Sequence, residues 1–162
     1  MKTIHRRLVR KYASLFLSIA LLSLFAACSY ITDFVVVNMS SQPIEVTLTI
    51  KRDPSAQFPR IKPARMPVSQ LHSDGQWQEL ETGQYALDSE KHTIVVRLSA
   101  GEALRVERLQ RGGMVVDEGD EGRFSIVGIA IKGASGTISA QGYDVRQQFV
   151  VESKKLYTLT YR

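Results

Sequence analysis

Residues 43–51, PIEVTLTIK, alternate without a break. Ile44, Val46, Leu48 and Ile50 fall on one side, and Glu45, Thr47, Thr49 and Lys51 on the other. Only an extended chain turns a period of two into one apolar and one wet face, so this segment is expected to be a strand with one side in a core. Runs of similar character recur at DFVVVN (33–38), TIVVRL (93–98) and ALRVERL (103–109), then at 114–117, 123–132, 137–140, 143–151 and 156–161. NMSSQ, SAGE, DEGDEG, KGASG and ESKK, rich in turn formers, separate most of them. The spacing predicts a hairpin between 33–38 and 43–51, a second between 93–98 and 103–109, and an acidic hairpin tip at 117–122. Eight or nine short strands without an amphipathic helix point to an all-β chain, an antiparallel sandwich or barrel. An immunoglobulin-like sandwich is the expected fold, although the core tryptophan between paired cysteines that marks the type is missing.

The first thirty residues have a different composition. Lys2, Arg6, Arg7, Arg10 and Lys11 form a basic start, and no acidic residue precedes Asp33. An apolar run follows from Tyr12 to Ala27, interrupted only by Ser14, Ser18 and Ser23. It is shorter than the roughly twenty residues a helix needs to cross a bilayer. Basic start, short apolar middle and small residues at the end are the parts of a secretory signal peptide. The only cysteine, Cys28, stands where the run ends.

FAAC (25–28, after Leu24) resembles the lipobox of bacterial lipoproteins; Phe25 stands where that class usually has Leu. The resemblance covers only about the first thirty residues. It implies that residues 1–27 are removed and that Cys28 carries a diacylglyceryl thioether and an acylated amino end. It also implies that Ser29, where an Asp would favour inner-membrane retention, sends the protein to the outer membrane. Residues 28–32 then form a lipidated tether, and 33–162 a single domain facing the periplasm. HRRLVRK carries paired arginines but lacks the flanking residues of twin-arginine signals, which favours the general secretory route. The alternative is an uncleaved anchor, or a signal cut elsewhere with Cys28 incidental. Two or three acyl chains hold a protein on a membrane where one is marginal.

Cleavage removes five of the 21 basic residues and none of the 16 acidic ones, so the remainder has no formal net charge. The basic balance of the whole chain is therefore no argument for a nucleic-acid partner. With Cys28 modified no disulfide can form, and the fold must rest on its apolar core.

One stretch stands apart, RDPSAQFPRIKPARMPVSQ (52–70), with four of the five prolines. Proline removes ladder donors, and a long irregular connection in a compact domain is either functional or disordered. The functional reading is a loop in which Arg60, Lys62 and Arg65 meet an anionic envelope component or protein, with Phe58 and Met66 as apolar anchors. The plainer reading is a solvated crossover.

Other motifs fall short of chemistry. His72 and His92 belong to no close metal-ligand cluster. DEGDEG aligned as a calcium loop puts Asp117, Gly119 and Glu121 in ligand register, but Gly128 stands where the closing acid is required. Ser135 in GASG lacks the spacing of a nucleophile elbow, and His72, Ser73 and Asp74 as chain neighbours would point apart. Glu79 and Glu81 would share a strand face, as any solvated strand allows. Tyr157 and Tyr161 are expected to pack in the core with Leu159, while Trp77 is open between an exposed contact and a core cap. The sequence thus points to a non-enzymatic, lipid-anchored binding or assembly module, with no metal or cofactor implied. A small envelope enzyme assembled from loops, or a carrier of lipid or another small ligand, are the alternatives.

Overall fold

A computed structural model of the chain describes residues 30–51, 62–73, 75–111, 124–153 and 155–162. Cys28, Phe58, Arg60, the expected strand at 114–117 and the DEGDEG turn lie outside the described residues.

The first sheet is built around β1 (Tyr30–Asn38), which runs parallel to β11 (Leu156–Tyr161) and antiparallel to β7 (Glu102–Arg111). Outside β11 lies β10 (Val150–Ser153), and beyond β7 come β3 (Ala64–Pro67) and β4 (Gln78–Glu79), giving the order β10-β11-β1-β7-β3-β4. In the second sheet β5 (Ala86–Asp88) lies beside β6 (Thr93–Leu98), followed by β2 (Ile44–Ile50), β8 (Ile126–Gly133) and β9 (Gly136–Gln141). All its pairings are antiparallel. A four-residue helix, α1 (Asp144–Gln147), links β9 to β10.

Alternation decides which side chains meet. Phe34, Val36, Leu104 and Val106 of the first sheet join Val46, Leu48, Ile94, Val96 and Ile131 of the second in one buried cluster. Each such side chain contributes about 2 kcal/mol on leaving water. The fold is an all-β sandwich, as the period-two pattern requires. Its β1–β11 pair is the parallel exception to an otherwise antiparallel plan.

Both expected hairpins between long strands are corrected. β1 and β2 lie in different sheets, as do β6 and β7. The reason is β1 itself: Phe34, Val35, Val36 and Val37 are all at most 4% exposed, so both faces of the strand are covered. A hairpin with the half-wet β2 would leave one of those faces in water. β7 and β8 also lie in different sheets, and the expected acidic tip at 117–122 between them falls outside the described residues. Among the described residues, consecutive strands pair antiparallel at β3–β4, β5–β6, β8–β9 and β10–β11. The run 143–151 is not one strand: Gly142 at φ 59° turns the chain into α1, and β10 starts only at Val150. β1 also begins at Tyr30, so residues 30–32 are strand and not tether.

Asn38 fixes the crossovers. It is fully buried, and its amide Nδ2 donates to the carbonyls of Gln42 (2.9 Å), Leu98 (3.2 Å) and Ser99 (3.0 Å). Its main-chain carbonyl accepts the N–H of Gly101 at 2.9 Å. One side chain therefore binds both inter-sheet connections at this end of the sandwich.

Candidate functional site

The second half of the expected recognition loop folds onto the first sheet. Arg65 and Met66 belong to β3, paired with β7 through Leu104 and Ala103. Met66 is 4% exposed and packs with Val35, Val37 and Ala103 on the sheet's outer face, so it is an internal anchor and not a contact for a partner. Arg65 lies 3.8 Å from Glu102, and the exposed Lys62 lies 3.8 Å from Glu79. Past β3, a single 3-10 turn (Val68–Gln70) leads into a strap whose Val68, Leu71 and Trp77 cover the same outer face. That coverage keeps Val35 and Val37 dry.

Trp77 lies over a buried cation, its ring 5.3 Å from the Arg105 guanidinium carbon. The stem of Arg105 is buried in the sheet, and a guanidinium against an aromatic face gains from the ring's quadrupole. Burial pulls the Arg105 pKa down and the nearby Arg108 adds to this, while Asp33 and Glu79 push it back up. Arg108 itself is raised, chiefly by its bond to Asp33. That pair is bidentate, with Nε to Oδ1 at 2.7 Å and Nη2 to Oδ2 at 3.0 Å. At the far side of the strap, His72 Nε2 lies 3.4 Å from Glu152 Oε2, and Glu152 also accepts from the Thr158 hydroxyl. The strap is thus held by Trp77 against Arg105 and by the approach of His72 to Glu152. The Ser73 hydroxyl donates back to the Gln70 carbonyl at 3.0 Å.

The other sequence candidates are dispersed. His92, at φ 53°, closes the β5–β6 hairpin in the second sheet, away from His72 on the first. Ser135 sits in the two-residue turn of the β8–β9 hairpin. Glu79 is in β4 and Glu81 beyond it, with the Glu81 N–H donating to Gln84 Oε1. Among the described residues no three of His, Cys, Asp and Glu gather as a metal site. No described helix is long and apolar enough to cross a membrane. Tyr157 stacks on Phe34 at 4.8 Å, and Tyr161 is 3% exposed, so both pack as expected of the last strand.

A cleft of about 240 Å³ lies at the end of the sandwich where β1 begins. Its floor is Phe124, Ile126 and Val127, and Lys51, Tyr143 and Arg146 stand round it. Main-chain bonds position these groups. The Lys51 N–H donates to the Ser125 carbonyl at 2.7 Å, and Glu107 Oε2 accepts the Ser125 N–H at 2.8 Å. The Gly142 N–H donates to Val127 at 2.8 Å, and fully buried Val145 pins α1 below the rim. Phe124 packs edge-on to Phe34 at 4.9 Å, tying the floor to the core. Sequence reading missed this site because its residues come from three separate segments that share no motif.

Comparisons with protein-family models, with curated proteins and with solved structures each find no match. Sequence and geometry alone therefore bear on function.

Proposed function

We propose that this chain is a lipid-anchored, non-enzymatic binding module of the bacterial cell envelope, tethered through Cys28 to the periplasmic side of the outer membrane. One observation carries the reading: β1 starts at Tyr30, so a single residue separates the lipobox-like cysteine from a packed sandwich. A signal and lipobox that end where a folded domain starts are spaced as an anchor and its cargo would be. Of the loop cations, the exposed Lys62 would meet an anionic envelope partner in competition with Glu79 at 3.8 Å, while Arg65 faces Glu102 at the same distance.

The test compares wild type with Cys28→Ala by intact mass and membrane fractionation. Wild type is expected to carry the acyl mass and sediment with membranes, and the variant to be unacylated and released or unprocessed. Identical masses and identical fractionation would overturn the proposal.

A further inference from the structure

The strands define which end of the molecule the anchor would reach. β1 runs from Tyr30 to Asn38, and the Asn38 side chain meets the start of β2 and the finish of β6. β2 therefore runs back toward the Tyr30 end and finishes there at Ile50, next to Lys51. β8 is antiparallel to β2 and pairs Ile126 with Ile50, so it starts at the same end. β9 returns to it at Gln141, which pairs with Gly128, and α1 follows. Every segment that lines the cleft thus sits at the end where β1 starts. Two extended residues reach only about 7 Å, so acyl chains on Cys28 would hold this end against the bilayer surface.

The lining fits that neighbourhood. Lys51 contributes a cation with Arg146 beside it, and among the described residues no carboxylate side chain lines the cleft. Phe124, Ile126 and Val127 supply an apolar floor beneath them. Tyr143 stands at the rim, 60% exposed, and Ile31 on the same end is 49% exposed. An amphipathic aromatic beside cations is the composition that settles at head-group level in membranes, and anionic lipid attracts basic side chains near its surface. The volume is below the roughly 300–1,000 Å³ of sites that enclose a whole drug-sized ligand, which suits a head group and the first carbons of its chains.

We propose that the cleft between β8 and α1 binds the phosphate-bearing head of an anionic phospholipid in the membrane that carries the anchor. The choice of a membrane lipid over a soluble anion rests on the tethering reading of Cys28. The cation of Lys51 would face the phosphate, and Tyr143 with the Phe124 floor would take the glycerol and upper acyl carbons.

The experiment is native mass spectrometry of the full-length protein isolated from membranes in detergent, titrated separately with phosphatidylglycerol, glycerol 3-phosphate and inorganic phosphate. Variants are Lys51→Glu and Tyr143→Ser in the cleft and Lys132→Glu, exposed at the opposite end of β8, as a charge control. Phosphatidylglycerol adducts are expected on wild type and Lys132→Glu, with at least a tenfold weaker affinity in both cleft variants. Circular dichroism of all variants is expected to match wild type. No lipid adduct, or equal weakening by Lys132→Glu, would overturn the proposal. Phosphate or glycerol 3-phosphate binding as tightly as the lipid, with the same loss in Lys51→Glu, would overturn the membrane source. The same spectra report the mass on Cys28, so an unacylated protein that still holds lipid would sink the tether and not the cleft.

Discussion

At the end where β1 finishes, one buried Asn38 gathers three main-chain carbonyls, and the connections there are five residues (39–43) and three residues (99–101) long. Where β1 starts, the connections between β2 and β3 and between β7 and β8 are longer, and a cleft opens between aromatic and cationic side chains. The first end closes the sandwich through these bonds, with Met39 exposed beside them. The second carries exposed apolar and basic groups on a floor tied to the same core. The difference teaches that the buried polar contacts tying the two sheets together at Asn38 and the open cleft lie at opposite ends of the same core, a division between scaffold and exposed loops.

The sharpest way to break this contrast is Asn38→Ala. It leaves buried carbonyls of both crossovers without their donor, and should cost about 3 kcal/mol in urea unfolding. A loss no larger than that of Lys51→Glu or Tyr143→Ser, each expected within about 0.5 kcal/mol of wild type, would show that the two ends do not differ in this way.

Gly133→Ala probes the same end through packing. A Cβ there would lie 2.6 Å from the Tyr161 hydroxyl and 2.7 Å from two ring carbons, displacing a ring that donates to the Gly136 carbonyl at 2.9 Å. The expected cost is about 2 kcal/mol in the same unfolding assay. An unchanged midpoint would mean that Tyr161 swings aside freely and that this end is looser than its contacts imply.

The smallest effect belongs to Asp88, in the β5–β6 turn at the other end. The backbone N–H of Lys91 is the main cause holding its carboxyl below the usual value, and the N–H of Glu90 adds to it. A carboxylate favoured by folding contributes stability above its unfolded-state pKa and loses it as the pH falls through the folded value. Asp88→Asn should therefore melt slightly below wild type at neutral pH, and the gap should close on acidification. A gap that widens in acid would refute this account.

Much of the architecture was legible in the chain. The alternation of 43–51 becomes β2 with Ile44, Val46, Leu48 and Ile50 buried, and KGASG becomes the two-residue turn of the β8–β9 hairpin. The sheet each strand joins was not legible, because a turn-rich link of four or five residues serves a hairpin and an inter-sheet crossover equally well. FVVV held the missing clue, since an unalternating apolar strand needs cover on both faces. The short β3, β4 and β5 went unseen because two to four residues show too little periodicity to register. Arg105 and Trp77, 28 positions apart, and the cleft residues from 51, 124–127 and 143–146 share no spacing a sequence pattern could reveal.

The sequence by itself determined most of the longer strands and the all-β class, with Cys28 placed shortly before the first of them. Each follows from local physics, since side-chain alternation is a property of consecutive residues. Only the tertiary structure decided that β1 is covered on both faces, that Met66 and Trp77 fold down as a strap, and that Lys51 meets Arg146 and Tyr143 around one cleft. Those outcomes depend on burying apolar area between segments far apart in the chain, and burial is non-directional: it fixes how much surface must be hidden, while packing chooses the partners.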